Sequence, residues 1–237
     1  MKKEMKLSYL LFAFLLLTNH LKAQIIPDGV YQIYSDVHQE AMVTSLSGEF
    51  DVSMTPPNFS DNNQLWNFSH QGGNVYKISN VATGSFIGIK DGWCGIFGDV
   101  QARYASTDAN VEFLISKGNN SGSYVIQIAF TTCNFGSVND PVKAFDVQDG
   151  LSGAQIQTFD VDFGGANQQF RLISHEWNGN SDTDWANTAN WTPSSIPSAV
   201  SNVRVPNVTN KPIVNSNVGV HDIFINTTQH CTKLRVF

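Results

Sequence analysis

Between Gln24 and about Ser174 the apolar residues fall in short alternating runs, separated by clusters of Gly, Asn and Asp. Val, Ile, Tyr and Phe alternating with polar neighbours follow the two-residue period of a half-buried strand. Pairs such as Asp149-Gly150 and Gly164-Gly165 mark the turns between runs. No stretch in this region sustains the spacing of an amphipathic helix, so the pattern predicts an all-β fold. It also repeats. One unit opens Gly29-Val30-Tyr31-Gln32-Ile33, the next Asn74-Val75-Tyr76-Lys77-Ile78, and the third Tyr124-Val125-Ile126-Gln127-Ile128. They end at Asn63-Gln64-Leu65-Trp66, Asn110-Val111-Glu112-Phe113 and Asn167-Gln168-Gln169-Phe170.

The openings lie about 45 to 50 residues apart, a repeat-array spacing. Three such units close most simply into a β-trefoil, in which the aromatic ending each unit packs into one shared core. Closure also removes the exposed strand edges that would otherwise invite association. A seven-stranded sandwich is the rival arrangement, but it gives no account of a threefold repeat.

The third unit carries the chemistry. Residues 143–172 read Lys143-Ala144-Phe145-Asp146-Val147-Gln148-Asp149-Gly150, then Ile156-Gln157-Thr158-Phe159, then Ala166-Asn167-Gln168-Gln169-Phe170. They offer one carboxylate (Asp146), three amides (Gln157, Asn167, Gln168) and one aromatic plate (Phe159). Such a set suits a ligand with hydroxyls on one side and C–H groups on the other, as a sugar has. The carboxylate accepts charge-strengthened hydrogen bonds from hydroxyls, and the ring packs against the C–H face. The order Phe-Asp-Val-x-Asp-Gly, Ile-Gln-x-aromatic, Asn-Gln-x-aromatic resembles the sugar-binding subdomain of ricin-B-type β-trefoil lectins. That resemblance implies that Asp146 holds sugar hydroxyls, Phe159 stacks on the ring, Asn167 binds a hydroxyl, and Gln168 steadies Asp146 with Gln157 in support. It also implies galactose-type sugars or polysaccharide as partners, no cofactor and no catalytic residue. Phe159 stands where Trp is commoner, Phe170 replaces the Trp of the Gln-x-Trp motif, and Phe145 replaces a half-cystine.

The other two units lack the full set. In the second, Gly88 falls where the Asp is needed, Arg103 replaces the stacking aromatic and Val111 replaces the Gln, although Asp91-Gly92, Gln101 and Asn110 remain. In the first, Asn63-Gln64 survive while the Asp region reads Ala41-Met42-Val43-Thr44. The remaining amides are expected to satisfy buried backbone, leaving one site per domain.

Residues 1–23 read as a secretory signal peptide: Lys2, Lys3 and Lys6, then the apolar Leu7 to Leu17 stretch, then Leu21-Lys22-Ala23. The apolar run is too short for a membrane span, and no second long one follows, so a secreted or cell-surface protein without membrane insertion is expected. Losing Lys2, Lys3, Lys6, Lys22 and Glu4 moves the formal charge from −6 to −9. An acidic chain without a basic cluster is a poor partner for nucleic acid. Three cysteines (Cys94, Cys133, Cys231) permit one bridge at most, and Cys94 with Cys133 is the only pair within residues 24–174.

From residue 175 to 237 the character changes. Trp177, Trp185 and Trp191 sit among Asn, Ser, Thr and Asp, followed by short β runs at Val203-Arg204-Val205, Ile213-Val214, Val218-Gly219-Val220 and Ile223-Phe224-Ile225. The pattern Trp177-x-Gly179, Asp184-Trp185, Asn190-Trp191, Ile196-Pro197, Asn207-Val208-Thr209-Asn210-Lys211-Pro212 resembles a β-rich repeat module of long secreted bacterial surface proteins. It implies a solenoid or sandwich-like segment, here expected to be truncated. Asn178, Asn180, Asp182 and Asp184 alternate like a calcium loop, but Thr183 and Ala189 stand where the loop needs Gly and Glu, so no metal is expected. No zincin, nucleophile-elbow, Walker or dinucleotide motif occurs. Non-catalytic carbohydrate binding is the leading expectation. The alternatives are a structural or adhesive protein with the trefoil as spacer, and the carbohydrate-binding fragment of a larger glycoside hydrolase. The order of basic, apolar and small residues in 1–23 has a direct consequence: mass spectrometry of exported protein should find Gln24, or its cyclised form, at the N-terminus. An intact Met1 on extracellular material would refute that reading.

Overall fold

A computed structural model describes residues 24–45, 48, 50–129 and 142–225. The segment read as a signal peptide lies outside the described residues, as do Cys133 and Cys231. Cys94 is disulfide-bonded. Each repeat supplies four strands. The first gives β1 (Gly29–Ser35), β2 (Glu40–Thr44), β3 (Val52–Thr55) and β4 (Leu65–Gly72). The second gives β5 (Val75–Asn80), β6 (Phe86–Ile89), β7 (Val100–Tyr104) and β8 (Glu112–Lys117). The third gives β9 (Tyr124–Ile128), β10 (Lys143–Val147), β11 (Ile156–Asp160) and β12 (Phe170–Ile173). No α-helix occurs among the described residues.

The outer strands of each repeat close a barrel. β1 pairs with β4, β4 with β5, β5 with β8, β8 with β9, β9 with β12, and β12 returns to β1, all antiparallel. The inner pairs β2–β3, β6–β7 and β10–β11 are hairpins that meet one another at one end. Backbone bridges Asp51↔Gln101, Ser53↔Gln155 and Asp99↔Gln157 tie them together. Barrel and hairpins share the ring contacts and bridges of a β-trefoil. Trp66, Phe113 and Phe170, the aromatics that end the repeats, are each fully buried in the same cluster. Burying a side chain of this size is worth about 1.5–3 kcal/mol.

A second sheet follows directly. β13 (His175–Trp177) pairs antiparallel with β14 (Trp191–Thr192) and parallel with β15 (Asn202–Val205), which pairs parallel with β16 (Asp222–Ile225). Trp177, Trp185 and Trp191 form its core, with ring centroids 4.6 to 6.4 Å apart. The alternating Asn and Asp residues before β14 turn out to be backbone caps. Asn178, Asp182 and Asp184 each accept from the N–H two residues on, and buried Asn190 accepts from Ser181 and Asp182 N–H while donating to Asp182 Oδ1 and Asp184 O. Spacing that resembles a cation loop is here a run of Asx turns.

This sheet docks on β1 and β12. Only Ser174 separates β12 from β13, and Asn202 closes the joint by donating from Nδ2 to Leu172 O at 2.8 Å and accepting Ser174 N–H at its own carbonyl, also 2.8 Å. Arg171 Nε donates to both oxygens of Asp36 (2.7 and 2.6 Å), and its guanidinium lies 4.5 Å over Phe224. Phe224 in turn contacts Tyr34. Arg204 pairs with Glu176, both nearly buried, and sits 4.8 Å over the Tyr34 ring. Burial raises the Glu176 pKa, and Arg204 partly offsets it. Removing the cation would leave a buried carboxylate uncompensated, so Arg204→Met should cost about 3 kcal/mol at neutral pH. A folded-state pKa raised above the unfolded value gives stability that is present at low pH and lost as pH rises through it. The variant should therefore recover part of its deficit on acidification, read by urea unfolding at two pH values. A deficit that grows on acidification would contradict this account.

Candidate functional site

The β10–β11 hairpin sets Asp146 opposite Gln157 and Ala144 opposite Phe159. Side chains alternate across a strand, so Phe145, Val147 and Ile156 face the core at zero exposure while Asp146, Gln157 and Phe159 share the outer face. The apolar residues flanking Asp146 are thus what aim it outward. The hairpin then turns through Gln148–Gly150, with Asp149 and Gly150 both left-handed (φ 53 and 64). A Cβ on Gly150 would come within 3.0 Å of the Asn167 amide, so glycine lets the turn approach that side chain closely.

The short turn Ala166–Gln168 brings in the amides and packs on β10. Gln168 is buried and spends its whole side chain inside the protein. Its Nε2 donates to Asp146 Oδ2 (3.1 Å) and to Asp160 O (2.9 Å), and its Oε1 accepts from Asp162 N (2.8 Å). Gln157 also hydrogen-bonds the Asp146 carboxylate. Burial raises the Asp146 pKa; the bonds from Gln168 and Gln157 pull it back, and the charge of Asp149 pushes it up again. Asn167 is half-buried, with Oδ1 3.4 Å from Nε2 of His38. Phe159 is exposed, one outward position beyond Gln157.

All five residues singled out in the sequence therefore lie on one hairpin and the turn beside it. His38 was not singled out. It comes from the β1–β2 turn of the first repeat, 129 residues from Asn167, and no motif in the chain announces the contact.

The other repeats show what is missing. Gly88 pairs with Gln101 as Asp146 pairs with Gln157, so the two positions correspond in register. A Cβ on Gly88 would lie 2.4 Å from the Tyr104 ring, which fills the space a carboxylate would need. Asn110 Nδ2 donates to Ile89 O at 2.6 Å, and Gln101 Nε2 donates to Asp51. In the first repeat Gln64 repeats the bracing of Gln168 without a carboxylate: Oε1 accepts from Asn58 N (2.7 Å) and Nε2 donates to Pro56 O (3.2 Å). Asn63 differs from the expected backbone role, because its amide donates to the Asp61 carboxylate. Among the described residues, only the third repeat combines a carboxylate, amides and an exposed ring on one face, a set able to hold hydroxyls and pack a C–H surface together.

Residues 62–148 match the family described as ricin-type beta-trefoil lectin domain-like, a span that includes Asp146. The part of the chain from β1 to β12 is a β-trefoil, and the stretch that matches this family lies within it. A search of curated proteins finds no match. Among solved structures, the trefoil is similar to ThreeFoil, a designed threefold-symmetric protein, at 21% identity and TM-score 0.52 over 62% of this chain and 99% of that one. It is also similar to an exo-β-1,3-galactanase from Clostridium thermocellum (22%, TM-score 0.52), over 64% of this chain and 31% of the enzyme. A Polyporus squamosus lectin bound to Neu5Acα2-6Galβ1-4GlcNAc matches at 16% identity and TM-score 0.51, over 63% of this chain and 50% of that one. The chain thus spans half or less of the length of those two natural proteins. The match to this family over residues 62–148 supports carbohydrate binding in general.

The electrostatics of this trefoil site carry a prediction. A carboxyl whose folded pKa is raised contributes stability below its unfolded pKa and loses it as pH rises through the folded one. Asp146→Asn keeps an acceptor for Gln168 and removes the buried charge. The variant should match or exceed wild-type stability at pH 7, and wild type should gain on it as the pH falls towards 4, both measured by urea unfolding. A clear loss of stability at pH 7 would show that the charged form is net favourable in the fold.

Proposed function

We propose that this chain is an exported, non-catalytic carbohydrate-binding protein whose single sugar site is the third trefoil repeat, with galactose-type sugars as its ligands. The observation that carries this reading is the buried Asp146 carboxylate, braced by Gln168 and Gln157, on the same face of a hairpin as the exposed Phe159 ring. Two amides orient the acceptor before a ligand arrives, so less ordering is left for binding to bear. Asp146 accepts from sugar hydroxyls, Asn167 offers an amide beside it, and Phe159 supplies the plate for the C–H face. The galactanase and the sialyl-galactoside-bound lectin among the similar structures support galactose-type ligands. The residues of 1–23 support export, in keeping with a partner outside the cell.

A shallow site of this kind should hold a free monosaccharide at about millimolar strength, equivalent to roughly −4 kcal/mol. Repeating glycans or several copies then raise the avidity. Asp146→Ala should cost about 1.5–3 kcal/mol, because hydroxyls lose a charged acceptor. Phe159→Ala should weaken every sugar by about 0.5–1.5 kcal/mol, and Phe159→Trp should keep or improve binding. Asn110→Ala should leave binding alone, since that amide serves Ile89 O. A glycan array on wild type, Asp146→Ala and Asn110→Ala checks these outcomes. Wild type that binds no glycan, or Asp146→Ala that binds as wild type does, would leave the trefoil as a structural spacer.

A further inference from the structure

The loop between β6 and β7 belongs to the second repeat but lies along β11 of the third. Phe97 N donates to Thr158 O (2.7 Å), Thr158 N to Gly98 O (2.9 Å), Gly98 N to Thr158 Oγ1 (2.9 Å) and Thr158 Oγ1 to Gly95 O (2.8 Å). A Cβ at Gly98 would meet Thr158 Oγ1 at 2.7 Å, so only glycine permits this close an approach. Cys94, in the same loop, is disulfide-bonded. Thr158 faces inward at zero exposure, and its neighbour Phe159 faces out.

The loop therefore delivers Phe97 to the edge of the Asp146 site. The Phe97 and Phe159 rings lie 5.6 Å apart, tilted by 58°. Phe97 is 61% exposed, so its ring gains little from burial in the folded chain. Its backbone is left-handed (φ 61), a conformation that bulky residues rarely adopt. An exposed apolar ring held in a left-handed backbone by a firmly bonded loop adds little to packing, and such outliers concentrate at ligand-binding positions. Trp93, 59% exposed in the same loop, donates from Nε1 to Ile96 O and props the loop's outer side.

We propose that Phe97 forms a second subsite, so that the chain binds glycans of at least two sugar units: the terminal unit on Asp146 and Phe159, the next with its C–H face on Phe97. The inference rests on the proposed reading of the Asp146 site and deepens it from a monosaccharide to an oligosaccharide ligand. The tilt between the two rings suits two pyranoses inclined to each other across a glycosidic bond, each with its own plate.

The test is calorimetric titration of the full chain with methyl β-galactoside and with lactose. Wild type should prefer lactose, and Phe97→Ala should shrink the ratio of lactose to methyl β-galactoside affinity by about three- to tenfold. Phe97→Trp should restore or widen it. Phe97→Gly relieves the left-handed strain, so it should unfold at or above the wild-type temperature while showing the same shrunken ratio. That combination separates a binding role from a structural one. An unchanged ratio in Phe97→Ala and Phe97→Gly, with Asp146→Ala still abolishing both titrations, overturns the second subsite and leaves the first standing. Wild type that binds neither sugar overturns both.

Discussion

Strand β1 has to be paired on both edges, and almost everything else about the molecule follows from how that is met. Its first half pairs with β4, and its second half with β12 on one edge and with β2 on the other; Gln32 pairs with both β4 and β12. The return from the last strand to the first closes the barrel and leaves no free edge in it. Closure puts the third repeat beside the first, which is why His38 of the β1–β2 turn can reach Asn167. It also gathers the three hairpins so that a loop of the second repeat can lie on β11 of the third. The proposed site therefore draws on all three repeats, though one repeat carries most of its polar groups. The second sheet uses the same seam: its Arg204 and Phe224 meet Tyr34 on β1, and Asn202 bonds the end of β12.

The three repeats show how one scaffold position can keep its structural duty and lose its chemistry. Gln64 and Gln168 both brace the loop six to eight residues before them, one at Pro56 and Asn58, the other at Asp160 and Asp162. That bracing satisfies backbone groups that would be costly to leave unpaired. Gln168 has a further donor contact to Asp146, which Gln64 lacks because its register partner region holds Val43 opposite Ser53. In the second repeat the carboxylate position has closed instead. With Gly88 in place, Tyr104 lies across the gap and donates to Ile89 O, and a side chain at 88 can no longer be added without moving that ring.

The repeat and the fold were legible in the sequence because they depend on local periodicity. Tyr31, Tyr76 and Tyr124, and Trp66, Phe113 and Phe170, recur at matching places, and each sits in the common core. The cluster of Asp146, Gln157, Phe159, Asn167 and Gln168 was legible for a related reason: three neighbouring segments of one repeat supply it, and strand alternation fixes which side each residue takes. What escaped were the loop and side-chain contacts between repeats around Asp146. Phe97 and His38 read as ordinary loop residues, since nothing near them in the chain says which strand they will lie against. The Asn and Asp run at 178–190 shows the limit of spacing alone. It resembles a cation loop, Thr183 and Ala189 argue against one, and its side-chain oxygens accept backbone N–H groups. Asx turns and cation loops use the same residues at the same intervals, and only the direction of each carbonyl separates them.

In the proposed sugar site, the burial that would prepare Asp146 for a ligand also works against it. Out of water, the carboxylate's bonds to incoming hydroxyls are stronger, since fewer competing waters screen them. Out of water it also favours the protonated form, which has one fewer acceptor to offer. Gln168 and Gln157 offset only part of this by donating to the charged state, and Gln168 is itself held by two backbone contacts. A residue whose own groups are all satisfied within the fold can still govern binding through the acceptor it holds. That places the strength of the site less in the number of groups facing the ligand than in the rigidity of the amide behind one of them.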